Sequence, residues 1–188
     1  KIKQKIGEYK ESHDMFPQVI FMQNHGLAVT ADNAEECLAL HEKVNNKIKE
    51  YFNITRPYPE IKLEMRGDSE YESKTGFTRS FIRDKSVDLG FFDRILYPEQ
   101  IVYLDDEQIA INEIGSKINI NANTGQVIYK TGYTEARSIE EILTACLYIV
   151  DQVERNGLRL STMSREDIDR IKNSDAGKYR KQMVSGKE

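Results

Sequence analysis

The chain has 188 residues, a length that corresponds to one ordinary domain or two small ones. Hydrophobic residues make up 39% of it and charged residues 31%, which excludes a disordered chain. The net charge of −4 argues against general nucleic-acid binding, and no apolar run reaches the roughly 18 residues that a membrane span needs. We therefore expect neither nucleic acid nor a membrane among the partners.

The start of the chain predicts a helix followed by a β-hairpin. Ile2, Ile6 and Tyr9 are spaced as on one face of a helix. Residues 18–23 (QVIFMQ) and 27–30 (LAVT) are rich in β-branched and aromatic residues, which favours two antiparallel strands. The letters NHG between them mark the turn.

A long helix is predicted after this hairpin. Asp32 is the expected N-cap, and Glu35 three residues later would complete a capping box. Apolar residues continue at helical spacing, and the helix should end near Asn53, ahead of two prolines. We assign residues 1–53 to a first structural part.

Residues 66–80 are polar and show no sustained hydrophobic period, and we predict a connector or an exposed excursion over 54–97. Near its end, residues 86–96 supply apolar anchors that favour a short helix before Pro98.

Within residues 54–97, Lys74, Arg79 and Arg83 surround a Thr-Gly pair and could bind a phosphate group. The segment lacks the complete phosphate-loop motif, so an ordinary solvated excursion is the alternative.

Residues 98–188 are predicted to form a second strand-and-helix module. An apolar run at 100–105 and another at 108–114 predict a hairpin across an Asp-Glu pair. Strict alternation at 117–121, a turn, and a returning run at 126–131 predict a second hairpin.

Two capped helices follow in this module. Ser138 and Glu141 would form a capping box, and the first helix should end before Gly157. Ser164 and Asp167 indicate the start of the second helix.

The basic tail at 178–188 is expected to fray or to pack on a partner. Cys37 and Cys146 fall at apolar positions of predicted helices, so we expect buried thiols in a reducing compartment. The sequence therefore predicts a cytoplasmic protein.

Together these elements predict an α/β (α+β) fold, with a mainly antiparallel sheet and covering helices. Residues 17–40 and 125–147 both follow the order strand, turn and helix carrying Glu-Glu. Either every strand-to-helix unit needs these parts, or a duplication has degenerated. Because only the first copy has a histidine at the turn, His25 is not required by the fold and is a candidate for chemistry.

The stretch QNHGLAVTADNAEECLAL resembles the segment that holds the last zinc-binding histidine in the class II aldolase and adducin superfamily. The resemblance covers residues 16–52 and implies a class II aldolase-like fold. It also implies that His25 is a metal ligand and that Asn24 and Gly26 shape its turn. Residues 98–183 look like the distal part of longer bacterial proteins of the rhamnulose-phosphate aldolase/alcohol dehydrogenase type.

The resemblance implies Zn²⁺ or another divalent metal, and aldol cleavage or epimerisation of a small sugar phosphate. It also implies a homo-oligomer, since such aldolases place their active sites between subunits. The family has two further histidines as His-x-His, a general-base glutamate and a phosphate loop upstream of this segment. The chain has no His-x-His and starts at Lys1 within a helical pattern. We therefore expect a piece of a longer protein whose missing N-terminal part completes the site.

Two alternatives stay open. His25 could be a histidine satisfied by backbone hydrogen bonds, and the chain a non-catalytic, adducin-like assembly or ligand-binding module. Of the other histidines, His41 is expected to pack on the apolar face of its helix, and His13 is expected to be exposed to solvent.

Overall fold

A computed structural model describes residues 2–175 and residue 179 of the chain. The basic tail therefore lies outside the described residues, apart from Tyr179. The chain divides into two compact units, Lys1–Arg56 and Pro57–Glu188. This division falls close to residue 53, where the first predicted part ends.

The first unit contains a helix, a β-hairpin and a second helix, as the sequence predicts. Strands β1 (Val19–Met22) and β2 (Gly26–Val29) pair antiparallel. Helix α1 (Ile2–His13) precedes this hairpin and helix α2 (Ala34–Tyr51) follows it. A two-stranded hairpin alone is only marginally stable in water, so the stability of this hairpin depends on packing of its apolar side chains.

The start of α2 differs by one residue from the prediction. Asn33, not Asp32, is the N-cap, and its side-chain oxygen accepts a hydrogen bond of 2.9 Å from the backbone N–H of Glu36. Asn33 has the extended backbone of an N-cap, with φ −143° and ψ 169°. Because two adjacent residues could both cap, the sequence pattern was ambiguous at this point.

No described residue of the first unit is fully buried. Phe21, Leu38 and Tyr51 expose 66%, 67% and 83% of their surface. Since apolar burial is the main stabilising contribution in folding, little of it holds this unit together internally.

The second unit is a five-stranded sheet with helices, among the residues described. The strand order is β3-β4-β7-β6-β5, and every pair is antiparallel except β5–β6. The mixed α/β class and the mainly antiparallel sheet are therefore confirmed. In chain order the elements are β3 (Leu63–Gly67), β4 (Glu70–Ser73), α3 (Gly76–Lys85), α4 (Leu89–Phe92), α5 (Pro98–Tyr103), a 3-10 helix (Asp106–Gln108), β5 (Ile109–Ile111), β6 (Ile118–Asn121), β7 (Gln126–Lys130), α6 (Tyr133–Arg155) and α7 (Arg165–Asn173).

The prediction of a connector at 54–97 is wrong, because this segment supplies two strands and two helices. Only the short helix α4 was expected, within 86–96. Strand β4 pairs with β7 inside the sheet, and Phe81 and Ile82 of α3 are buried in the core. Strand β3 is an edge strand whose residues are mostly exposed, so it lacks the apolar alternation that identifies a half-buried strand. Its register with β4 is irregular between Met65 and Gly67.

The predicted hairpin at 100–105 and 108–114 is also wrong. Residues 98–103 form α5, which starts at Pro98 as proline often does in a first helical turn. Gln100, Ile101 and Leu104 are buried with the spacing of a helix face. A short apolar run is compatible with either a strand or a buried helix, and here packing against the core favours the helix.

The predicted hairpin formed by β6 and β7 is confirmed, as is the end of α6 with Gly157 at φ 61°. Helix α6 starts six residues earlier than predicted, because its N-cap is Gly132 and not Ser138. Ser138 lies inside the helix, where its Oγ donates to the carbonyl of Thr134. For α7 the prediction holds, since Oγ of Ser164 accepts from the N–H of Asp167 at 3.1 Å.

The core of the second unit lies between α6 and one face of the sheet. Fully buried side chains of α6 and of the central strands belong to one apolar core, as in other two-layer folds. They include Ile118, Ile120, Val127, Leu143 and Leu147. Among the described residues, no helix combines the length and the apolar character that crossing a bilayer requires.

Gly125 is the position where the sheet requires glycine. It has φ +72°, and a Cβ built there would collide with the backbone carbonyl of Arg79. We expect Gly125→Ala to lower the free energy of unfolding by roughly 3 kcal/mol, because both backbone strain and a backbone clash oppose it. Urea denaturation measures this, with Gly76→Ala as the control. Gly76 opens α3 with open space around it, so equal losses in both variants would contradict the prediction.

Candidate functional site

His25 lies in the turn of the first unit's hairpin. Its backbone N–H donates to the carbonyl of Met22 at 3.0 Å, which closes the turn. The residues predicted to shape this turn both have positive φ, 58° for Asn24 and 92° for Gly26. Asparagine and glycine adopt this conformation more readily than other residues, so the turn places the histidine at the tip of the hairpin.

The ring of His25 is exposed, and its Nδ1 lies 3.2 Å from the carbonyl oxygen of Gln23. Among the described residues, Nε2 has no hydrogen-bond partner. When Nδ1 carries the proton and donates to this carbonyl, Nε2 keeps a free lone pair. Metal-binding histidines are commonly oriented in this way.

The surroundings of His25 do not form a complete metal site. Across residues 2–175, no group of three or more His, Cys, Asp or Glu side chains is placed to hold a metal ion. A catalytic zinc needs three protein ligands. The described residues therefore offer one suitable donor and do not fit zinc by themselves.

The other two histidines differ from His25. His13 is exposed as predicted, and its ring stacks on Tyr9 with centroids 4.1 Å apart. The prediction that His41 packs in an apolar interior is wrong, because its ring is exposed and lies 3.1 Å from the amide nitrogen of Asn45. Helix α2 has no buried residue, so its apolar stripe is at most half-buried within the described structure.

Lys74, one of the three predicted phosphate ligands, is held by two carboxylates. Its Nζ lies 2.7 Å from Glu72 and 2.9 Å from Glu64. The hydrogen bonds that Lys74 donates to these two carboxylates raise the pKa of Lys74 above its usual value. A phosphate would have to compete with both carboxylates for this cation.

The other two predicted phosphate ligands lie on α3, four residues apart. Nε of Arg79 donates to the carbonyl of Thr124 at 3.3 Å, and Arg83 pairs with Asp84 at 2.8 Å. Both guanidinium groups are thus engaged, and phosphate binding at this helix stays a prediction.

A buried carboxylate, Glu140, is the polar feature of the fold that the sequence reading missed. Its side chain is fully buried and accepts hydrogen bonds from hydroxyl groups on β4, β7, α3 and α6 itself. Ser73 Oγ donates at 2.8 Å, Thr78 and Thr144 Oγ1 at 3.3 Å each, and the Tyr129 hydroxyl through a short bond. The sequence pattern does indicate this burial, because Glu140 falls within the apolar face of the predicted helix.

Burial raises the pKa of Glu140, although the surrounding hydroxyl donors, Thr75 first among them, oppose this rise. Burial also raises the pKa of Tyr129 well above its usual value, and the adjacent carboxylate adds to that. A carboxyl group that is hydrogen-bonded in this way can share a proton with the neighbouring hydroxyl groups. Its hydrogen bonds also connect α6 to the sheet.

Glu72 is a second buried carboxylate, on the opposite face of the sheet. It is 4% exposed and contacts Arg66 at 2.9 Å, Lys74 at 2.7 Å and Gln126 at 3.0 Å. Burial acts to raise the pKa of Glu72, but these donors and cations together hold it below the usual value. This group is therefore an ion pair on the sheet and remains charged.

The two thiols differ in their burial. Cys146 is buried as predicted and accepts a hydrogen bond from the amide of Gln100 at 3.2 Å. Burial raises the pKa of Cys146 to about 12, so it is an inert thiol at neutral pH. Cys37 is only half-buried, because α2 has no core to enter.

Comparisons of the chain with models of protein families, with curated proteins and with solved structures found no match.

Replacing Glu140 by glutamine should change how stability depends on pH. Because the pKa of Glu140 is raised in the fold, its proton stabilises the fold fully below pH of about 4.3, the value in an unfolded chain. This stabilisation is lost as the pH rises through the raised pKa, with a slope of up to about 1.4 kcal/mol per pH unit. We therefore expect Glu140→Gln to gain stability relative to the wild type as the pH rises above about 4.3.

Urea denaturation at a series of pH values measures this gain. Glu141→Gln is the matched control, because Glu141 is the next residue of α6 and pairs with Arg137 on the surface. A wild type and a Glu140→Gln variant with parallel pH profiles would contradict the assignment.

Proposed function

We propose that this chain is part of a class II aldolase-like protein in which His25 is one ligand of Zn²⁺ or another divalent metal. The reaction is aldol cleavage of a small sugar phosphate or a related epimerisation. The remaining ligands and the general base come from residues outside those described here. We also propose that the active protein is a cytoplasmic homo-oligomer, which the buried thiol of Cys146 and the family resemblance support.

The observation that supports this proposal best is the state of the His25 ring. It is exposed at a tight turn, one nitrogen faces the Gln23 carbonyl, and the other has no partner among the described residues. A neutral imidazole in this arrangement is a suitable zinc donor. Since the other donors are not among the described residues, we assign no catalytic step to this chain alone.

A non-catalytic assembly module is the second candidate. Between residues 2 and 56 the first unit has no buried residue, while Phe21 and Leu38 are about two-thirds exposed. Monomeric proteins rarely leave large apolar surface uncovered, so this favours a unit that functions by contacting another protein surface.

Metal analysis of the purified protein tests the role of His25. We expect His25→Ala to lower the bound zinc to less than about a tenth of the wild-type content, because losing one of three ligands weakens the site severely. His13→Ala is the matched control, since its Nδ1 also lies near a backbone carbonyl, that of Tyr9 at 3.0 Å. Unchanged zinc in His25→Ala would refute the ligand assignment.

Removal of metal distinguishes the enzyme from the assembly module. We expect a chelator to abolish cleavage of a ketose 1-phosphate by the whole protein, and Zn²⁺ to restore it. An assembly module would show no cleavage with or without metal, and its oligomeric state would be the same in both. The readout is the released aldehyde, measured alongside sedimentation.

A further inference from the structure

A cavity of about 170 Å³ in the second unit is not used by the proposed metal chemistry. It lies between α7 on one side and α4 and α5 on the other. Its floor is apolar, formed by Phe92, Ile101 and Leu104, each of which is only 2% exposed. An apolar floor with a few polar groups around it is the usual composition of a small-molecule site.

The rim of this cavity carries charges of both signs. Arg165 and Lys172 lie on α7, seven residues apart and therefore on the same face of the helix. Within the described part of the chain, neither cation has an ion pair or a hydrogen-bond partner. The carboxylates of the lining belong to Asp93, Asp105 and Asp169.

Backbone hydrogen bonds anchor the start of α7, next to Arg165. Ser164 caps the helix through the N–H of Asp167, and the N–H of Met163 donates to the carbonyl of Ile95 at 2.7 Å. Met163 itself is buried. Arg165 is therefore the first helical residue after an anchored segment, and it is held at the edge of the cavity.

We propose that this cavity binds a small zwitterion of the amino-acid class with an apolar side chain. The carboxylate of the ligand pairs with Arg165, and Lys172 adds to the positive potential. The ammonium group pairs with the carboxylates at the rim, such as those of Asp93 and Asp169. The apolar side chain covers Ile101 and Leu104 on the floor.

The size and the charges of the cavity both select this ligand class. Sites for drug-sized molecules have volumes of roughly 300–1,000 Å³, so this cavity takes a smaller molecule. A simple anion would leave three carboxylates facing it, and a simple cation would leave two basic groups unpaired. A molecule with both charges satisfies both sides of the rim.

Isothermal titration of the full chain with three probes of the same shape tests the proposal. The probes are L-leucine, 4-methylpentanoate, which lacks the ammonium group, and isopentylamine, which lacks the carboxylate. We expect leucine to bind at least about tenfold more tightly than either of the others, because each loses one charged hydrogen bond.

A pair of variants on α7 gives the matched control. Arg165→Gln should weaken leucine binding about tenfold or more, since it removes the partner of the carboxylate. Arg170→Gln should change it less than twofold, because Arg170 pairs with Asp167 and does not line the cavity. Both arginines are exposed, so neither substitution should unfold the unit.

Three outcomes would overturn the proposal. They are no heat of binding with leucine at millimolar concentration, equal binding of all three probes, and equal effects of the two arginine substitutions. Metal content plays no part in this experiment, so its result is independent of the assignment of His25.

Discussion

The carboxylate of Glu140 is enclosed where α6 crosses the sheet, and four elements reach it through hydroxyl groups. Burying a carboxyl group is costly unless its oxygens are hydrogen-bonded, so these hydroxyls must stay in place for the fold to remain stable. Ser73 fixes β4, Tyr129 fixes β7 and Thr78 fixes α3 against this one group. The apolar core around them would tolerate small shifts, whereas this polar cluster allows few. It therefore specifies how the helix layer lies on the sheet.

The two units of the chain rely on different physics. The second has a continuous apolar core and two buried carboxylates with their partners. The first has a hairpin and two helices but no buried residue in the part that the structure describes, so capping and turn geometry account for much of its local order. His25 belongs to the first unit, and the cavity beside α7 belongs to the second. A ligand at His25 would therefore contact a unit without an apolar core, whereas a ligand in the cavity would contact a unit that has one.

Local sequence signals predicted the elements whose structure is decided locally. The cap at Ser164, the turn at Asn24 and Gly26 and the alternation through Ile118 and Ile120 all correspond to observed elements. Long-range packing decided the rest. Residues 98–103 became a helix because the core receives Ile101 and Leu104, and β3 formed because β4 offered an edge. The hydroxyl cluster around Glu140 joins residues up to 67 positions apart, and no local pattern reports such a meeting.

The irregular register of β3 has a consequence for how copies of the chain can meet. This strand forms one edge of the sheet, and it combines an irregular register between Met65 and Gly67 with two charged residues, Glu64 and Arg66. The opposite edge, β5, is only three residues long. A regular incoming strand would find mismatched hydrogen-bonding groups on one side and too few on the other. Both edges of this sheet therefore disfavour the addition of a strand from another copy of the chain.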